Sequence, residues 1–117
     1  MTSTKKISDN SLNFVSGGTM YETADDSRFL NVLLQGRPHQ CDRYGAYRCW
    51  GGDHDKEIEA AWNSVGIYVK FNSGLFLYSK GKSNTYWLNG NLMSQEQARQ
   101  HAMDVVGKHL TRAQWDW

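Results

Sequence analysis

Cys41 and Cys49 are the two cysteines of the chain, and they enclose Asp42-Arg43-Tyr44-Gly45-Ala46-Tyr47-Arg48, a segment with a glycine for a turn. In an exported protein this pattern reads as a disulfide-closed loop. By chain entropy so short a closure contributes roughly 2–3 kcal/mol. His39 and His54 flank the pair, so the same four side chains can also be set out as zinc ligands. Their spacings match none of the usual finger patterns. Free thiols are the third arrangement. A Cys–His nucleophile pair needs the two side chains within hydrogen-bond reach, which spacing alone does not supply.

The loop offers a second kind of chemistry. Arg43, Tyr44, Tyr47, Arg48 and Trp50 are the residue types that dominate binding hot spots, and a pinned loop loses less entropy on binding. The same Tyr47 and Trp50 could instead fill the core. Tyr68, Lys70, Tyr78, Lys80 and Lys82 can share an outward sheet face, the layout of a stacking platform for single-stranded nucleic acid or of a half-solvated face. His101 and His109 lie eight residues apart with Val105 between them, too far for a shared metal without another ligand. Asp53, Asp55, Glu57 and Glu59 open a predicted helix, where carboxylates suit the positive end of the dipole. No nucleophile elbow, phosphate loop or metal-protease motif is present, so no catalytic residue, metal or cofactor is assigned.

Four kinds of element must hold these groups. Arg28 to Gln35 reads as a helix started by Asp25-Asp26-Ser27, faced by Phe29, Leu30, Leu33 and Leu34, and stopped by Gly36 and Pro38. The cysteine loop follows from Arg37 to Gly52. Asp53 is the expected cap of a second helix, with Ile58, Ala61, Trp62 and Val65 on one face and Gly66 at its end. Strand-like runs come next at Ile67–Phe71, Leu75–Ser79 and Thr85–Leu88, separated by Asn72-Ser73-Gly74 and Gly81-Lys82-Ser83-Asn84. Asn89-Gly90 marks a tight turn before Leu92. Ser94 with Gln97 forms a capping box for a last helix, whose stripe runs through Ala98, Ala102, Val105, Val106, Leu110 and Ala113. The expectation is an α+β domain: helix, helix, three-stranded antiparallel meander, helix.

Composition bounds what such a domain does. With 117 residues there is room for one core, and 5 Trp, 6 Tyr and 4 Phe compensate for few aliphatic residues. Thirteen basic residues against 12 acidic ones lack the excess of a nucleic-acid binder or a cationic lytic peptide. No apolar run approaches the ~20 residues that a membrane-spanning helix needs. The first residues also lack the apolar stretch of a secretory signal peptide.

Those first residues carry a pattern of their own. Met1 to Gly18 is polar, with sparse apolar residues at Ile7, Leu12, Phe14 and Val15, and it ends in Gly17-Gly18. Ile7, Leu12 and Val15 can share one face of a short helix capped by Ser8 or Asp9. A segment so short holds its helix only on a partner. Ile7-Ser8-Asp9-Asn10-Ser11-Leu12-Asn13-Phe14-Val15-Ser16-Gly17-Gly18 resembles the double-glycine leader of bacteriocin and microcin precursors, with Ser11 where such leaders usually carry an acidic residue. The resemblance implies an ABC exporter with a cysteine peptidase domain as partner. It makes Ile7, Leu12 and Val15 the anchors that the exporter grips, with cleavage after Gly17-Gly18. Glycine fits that role because a backbone without Cβ can enter a narrow channel.

On this reading residues 1–18 are a flexible leader, and residues 19–117 are the mature domain. The mature domain is secreted and binds an unknown protein or cell-surface target. The alternative is a cytoplasmic binding or inhibitor protein, of immunity or phage type, with a disordered N-terminal tail.

Overall fold

A computed structural model describes residues 18–71 and 84–117, apart from the side chains of residues 18, 19, 50 and 51. The first helix, α1, spans Gly18–Leu33. Its buried positions are Thr23, Asp26, Ser27, Leu30 and Leu33, which recur at helical spacing, with Ala24 and Phe29 alongside and Leu34 just beyond its end. The expected start at the aspartates is therefore corrected. Upstream the stripe continues with small and polar residues that are buried and hydrogen-bonded, and a search for apolar residues misses them. Ser27 Oγ, for example, donates to the Ala24 carbonyl at 2.7 Å. Gly36, at φ +84°, ends the turn that follows the helix, as expected.

A 3₁₀ helix, Ala46–Gly52, leads into α2, Asp55–Asn63. His54, not Asp53, holds the cap position, and its side chain makes no capping bond. Burial explains why the helix forms regardless: Ile58, Ala61 and Trp62 are sealed, with Val65 just beyond. Gly66 adopts φ +85°, and Ile67 N–H closes on the Trp62 carbonyl at 3.1 Å, the six-to-one bond of a glycine-ended helix.

The sheet is a three-stranded antiparallel meander in the order β1 (Tyr68–Lys70), β2 (Thr85–Leu88), β3 (Asn91–Met93). Tyr68, Val69 and Lys70 pair with Trp87, Tyr86 and Thr85. Tyr86, Trp87 and Leu88 pair with Met93, Leu92 and Asn91. The expected run Leu75–Ser79 lies outside the described residues, and β3 was not expected as a strand. It forms because Asn89 and Gly90 both take positive φ, 53° and 83°, the geometry of a two-residue hairpin turn.

Ser94 opens α3, Gln95–Val106, with the expected reciprocal capping bonds to Gln97 at 3.1 and 2.8 Å. The expected stripe through Ala113 is corrected. Gly107 turns left-handed at φ +78° and stops α3, leaving Val105 exposed. A separate short helix, α4 (Arg112–Trp115), follows, and it buries Trp115 where Ala113 was expected. Aromatic rings tie the layers together. Trp115 meets the edge of Phe29 at 5.6 Å, Phe29 stacks on Trp62 at 6.2 Å, and Trp62 meets Tyr86 at 5.4 Å. Among the described residues, no helix is long and apolar enough to cross a membrane.

Candidate binding surface

The loop between α1 and α2 is tied to the rest of the fold by hydrogen bonds from Gln40 to Tyr44. Asn31 Nδ2 donates to the Cys41 carbonyl at 2.8 Å, and Tyr44 N–H donates to Ser27 Oγ at 2.9 Å. Glu57 on α2 accepts from the Asp42 N–H at 2.7 Å and from the Tyr44 hydroxyl at 2.6 Å. That bond, above all, raises the Tyr44 phenol pKa. The Tyr44 ring lies flat on His54, with centroids 3.7 Å apart. Arg43 reaches the other way: one guanidinium nitrogen donates to the carbonyls of Trp115 and Trp117, each at 2.9 Å, and the group covers the Trp117 ring at 3.4 Å.

The expected Cys41–Cys49 bridge is not formed. Both side chains are free, buried thiols, and Cys41 Sγ donates to the Ser27 carbonyl at 3.6 Å. Backbone and side-chain bonds pin the loop in place of a disulfide. Burial pushes each thiol pKa up to about 12, so neither is a thiolate at neutral pH. His54 faces Tyr44. Among the described residues, no group of three or more His, Cys, Asp or Glu could hold a metal ion.

The five residues expected to form one surface therefore divide. Arg43 and Tyr44 are half-buried and turned into the body. Tyr47, 85% exposed, and Arg48, also exposed, stand outward on the 3₁₀ helix. The Trp50 side chain lies outside the described residues. Beside the start of the 3₁₀ helix, Arg28, Arg43, Tyr44, Gly45, Asp116 and Trp117 line an open cleft of about 490 Å³. Two of these, Arg28 and Asp116, belong to a ring of alternating charges: Arg28 binds Asp25 and Asp116, and Arg112 binds the same two carboxylates at 3.2 and 2.9 Å. Burial outweighs both arginines at Asp25 and raises its pKa. At Asp116 burial also raises, but hydrogen bonds from Arg112 and Arg28 prevail and hold the carboxyl low. Arg28 and Asp116 were not anticipated, because the pairing spans 88 positions and leaves no local mark.

Asp26, an expected helix start, has a different place. It is fully buried, and its carboxylate accepts from the Tyr86 hydroxyl at 2.6 Å, Trp62 Nε1 at 3.2 Å and Gln95 Nε2 at 2.8 Å. One side chain thus joins α1, β2, α2 and α3. Burial raises its pKa to about 7, against the pull of those three donors. Sequence held a signal for it: Asp26 stands four and seven residues before Leu30 and Leu33, on the apolar stripe itself.

On the outward sheet face Tyr68 and Leu92 are exposed and flank Trp87 across the strands, with Tyr68 and Trp87 rings 5.3 Å apart. Lys70 is exposed beside them, whereas Tyr78, Lys80 and Lys82 lie outside the described residues. The expected leader positions Ile7, Leu12, Val15 and Gly17 also lie outside them, while Gly18 begins α1. No protein-family model, curated protein or solved structure matches the chain.

Proposed function

We propose that residues 1–18 are a double-glycine export leader and that residues 19–117 are released as a small α+β protein of bacteriocin or microcin type that acts by binding a target. One observation of the fold supports it above the rest. Among the described residues, full burial begins at Thr23, and long-range hydrogen bonds begin at Glu22, which accepts from the Asn84 N–H at 2.8 Å. A cut after Gly18 falls in the first turn of α1 and spares these long-range anchors. The leader takes Lys5, Lys6 and Asp9 from 13 basic and 12 acidic residues, leaving 11 of each. A neutral mature chain argues for recognition by shape and polar contacts rather than by bulk charge. The outward Tyr47 and Arg48, on a loop already held in place, are the residues assigned to that contact.

The proposal is tested by intact mass in the culture medium of cells carrying a peptidase-bearing exporter. The expected product begins at Thr19, and Gly18→Val abolishes it. A secreted chain that retains Met1, or one cut elsewhere, overturns the leader. In the mature protein Tyr47→Ala with Arg48→Ala is expected to weaken target binding by about tenfold or more while leaving the fold intact.

A second reading draws on the two buried, unbonded thiols, which suit a reducing compartment. It describes a cytoplasmic binding or inhibitor protein with an N-terminal tail. Full-length protein recovered from the cytosol, with the exporter present and no product in the medium, selects this reading over export.

A further inference from the structure

The bond to be cut on the leader reading joins Gly18 to Thr19, and both residues lie in the first turn of α1. In an α-helix the Gly18 carbonyl accepts from the N–H four residues on. A peptidase needs that carbonyl free, since the attacking sulfur and the donors that stabilise the oxyanion must both reach it. Helical backbone cannot offer this, and it is also wider than the extended chain that a glycine-sized channel admits.

Beyond this turn the helix is clasped. Asn84 donates its backbone N–H to Glu22 Oε1 at 2.8 Å and its side-chain amide to Thr23 Oγ1 at 2.8 Å. Gln95 Nε2 donates to the Glu22 carbonyl at 3.2 Å. Before the clasp, Tyr21 is exposed and Met20 half-buried. Residues 18–21 thus form one turn that can unwind while the body stays folded, since terminal turns open at low cost.

We infer that α1 gates leader removal: the Gly18–Thr19 bond is closed to the peptidase in the folded chain and is exposed by unwinding of the turn that ends at the Glu22–Asn84 clasp. The inference rests on the leader reading. In the reaction the peptidase's thiolate attacks the Gly18 carbonyl carbon and forms a thioester, the C–N bond breaks, and Thr19 leaves as an amine that takes its proton from the peptidase's general acid. Water then releases Gly18 as a carboxylate. Folding before export therefore slows processing, and an exporter that receives the chain unfolded meets no gate.

The test incubates full-length protein with the isolated peptidase domain of a double-glycine exporter and follows the cut by intact mass. An unfolded reference is the full chain with Phe29→Asp and Ile58→Asp, two carboxylates in sealed core positions. The reference is expected to be cut after Gly18 at least about tenfold faster than the native chain. Tyr21→Gly weakens the first turn and is expected to speed cleavage of the native chain severalfold, with no effect in the unfolded background. Equal rates for native and unfolded chains overturn the gate, as does a Tyr21→Gly effect that persists without the fold. An unfolded reference that is not cut after Gly18 overturns the leader itself, and the gate with it.

Discussion

Asp26 sets the clearest test at the scale of a single residue. Three donors, from Tyr86, Trp62 and Gln95, converge on a carboxylate with no solvent around it. The donors favour the charged form and burial opposes it; burial prevails, and the pKa rises from 3.8 to about 7. The folded state therefore binds this proton more tightly than the unfolded chain does. The stabilisation is complete below pH 4 and is lost as pH rises through 7. Between pH 5 and 8 the wild type should lose on the order of 2 kcal/mol from this group. Asp26→Asn cannot titrate, but its amide brings N–H toward a donor, so it is destabilised at pH 5. The gap between the two proteins should narrow by pH 8. Urea midpoints at the two pH values measure it, and a gap that widens with pH refutes a proton-favouring site.

At the scale of elements, the loop between α1 and α2 separates residues that hold the fold from residues that face outward. Arg43 bonds two carbonyls of the terminal segment and covers Trp117, so Arg43→Ala should lower stability by about 1–2 kcal/mol. Arg48 is exposed, and its guanidinium stands 5.9 Å from the Tyr44 ring. Arg48→Ala should stay within about 0.5 kcal/mol of wild type, so a loss of the proposed target binding would report on contact alone. Thermal unfolding of both variants checks the division.

Sequence could not make that division, because both arginines sit in one tract and their partners are remote. Where local chemistry governs, the elements were legible: the Ser94–Gln97 box, the helical repeat from Ile58 to Val65, and the Asn89-Gly90 turn all stand where read. Where a polar residue is sealed by distant donors, as at Asp26, the residue type points to a surface cap while only the spacing points to the core. Gly107 was passed over because Leu110 and Ala113 continue the helical spacing beyond it. Of the candidate site, composition marked the loop, but which side chains turn outward depends on Glu57, Ser27 and Trp117, none of them in it.

At the scale of the molecule, the proposed export leader predicts that the chain is separable at Gly18. The aromatic path from Trp115 through Phe29 and Trp62 to Tyr86, the Asp26 hub and the Glu22–Asn84 clasp all lie C-terminal to the cut. What the cut removes from the described body is one residue of a helical turn whose tertiary anchors come later. A chain beginning at Thr19 should therefore melt within about 3 °C of the full chain, since a terminal residue contributes a few tenths of a kcal/mol at most and 1 kcal/mol shifts a domain of this size by about 4–8 °C. Differential scanning calorimetry of the two chains decides the point. A fall of 10 °C or more on truncation means that residues 1–18 help to hold the body together, and a segment with that duty is no detachable export tag.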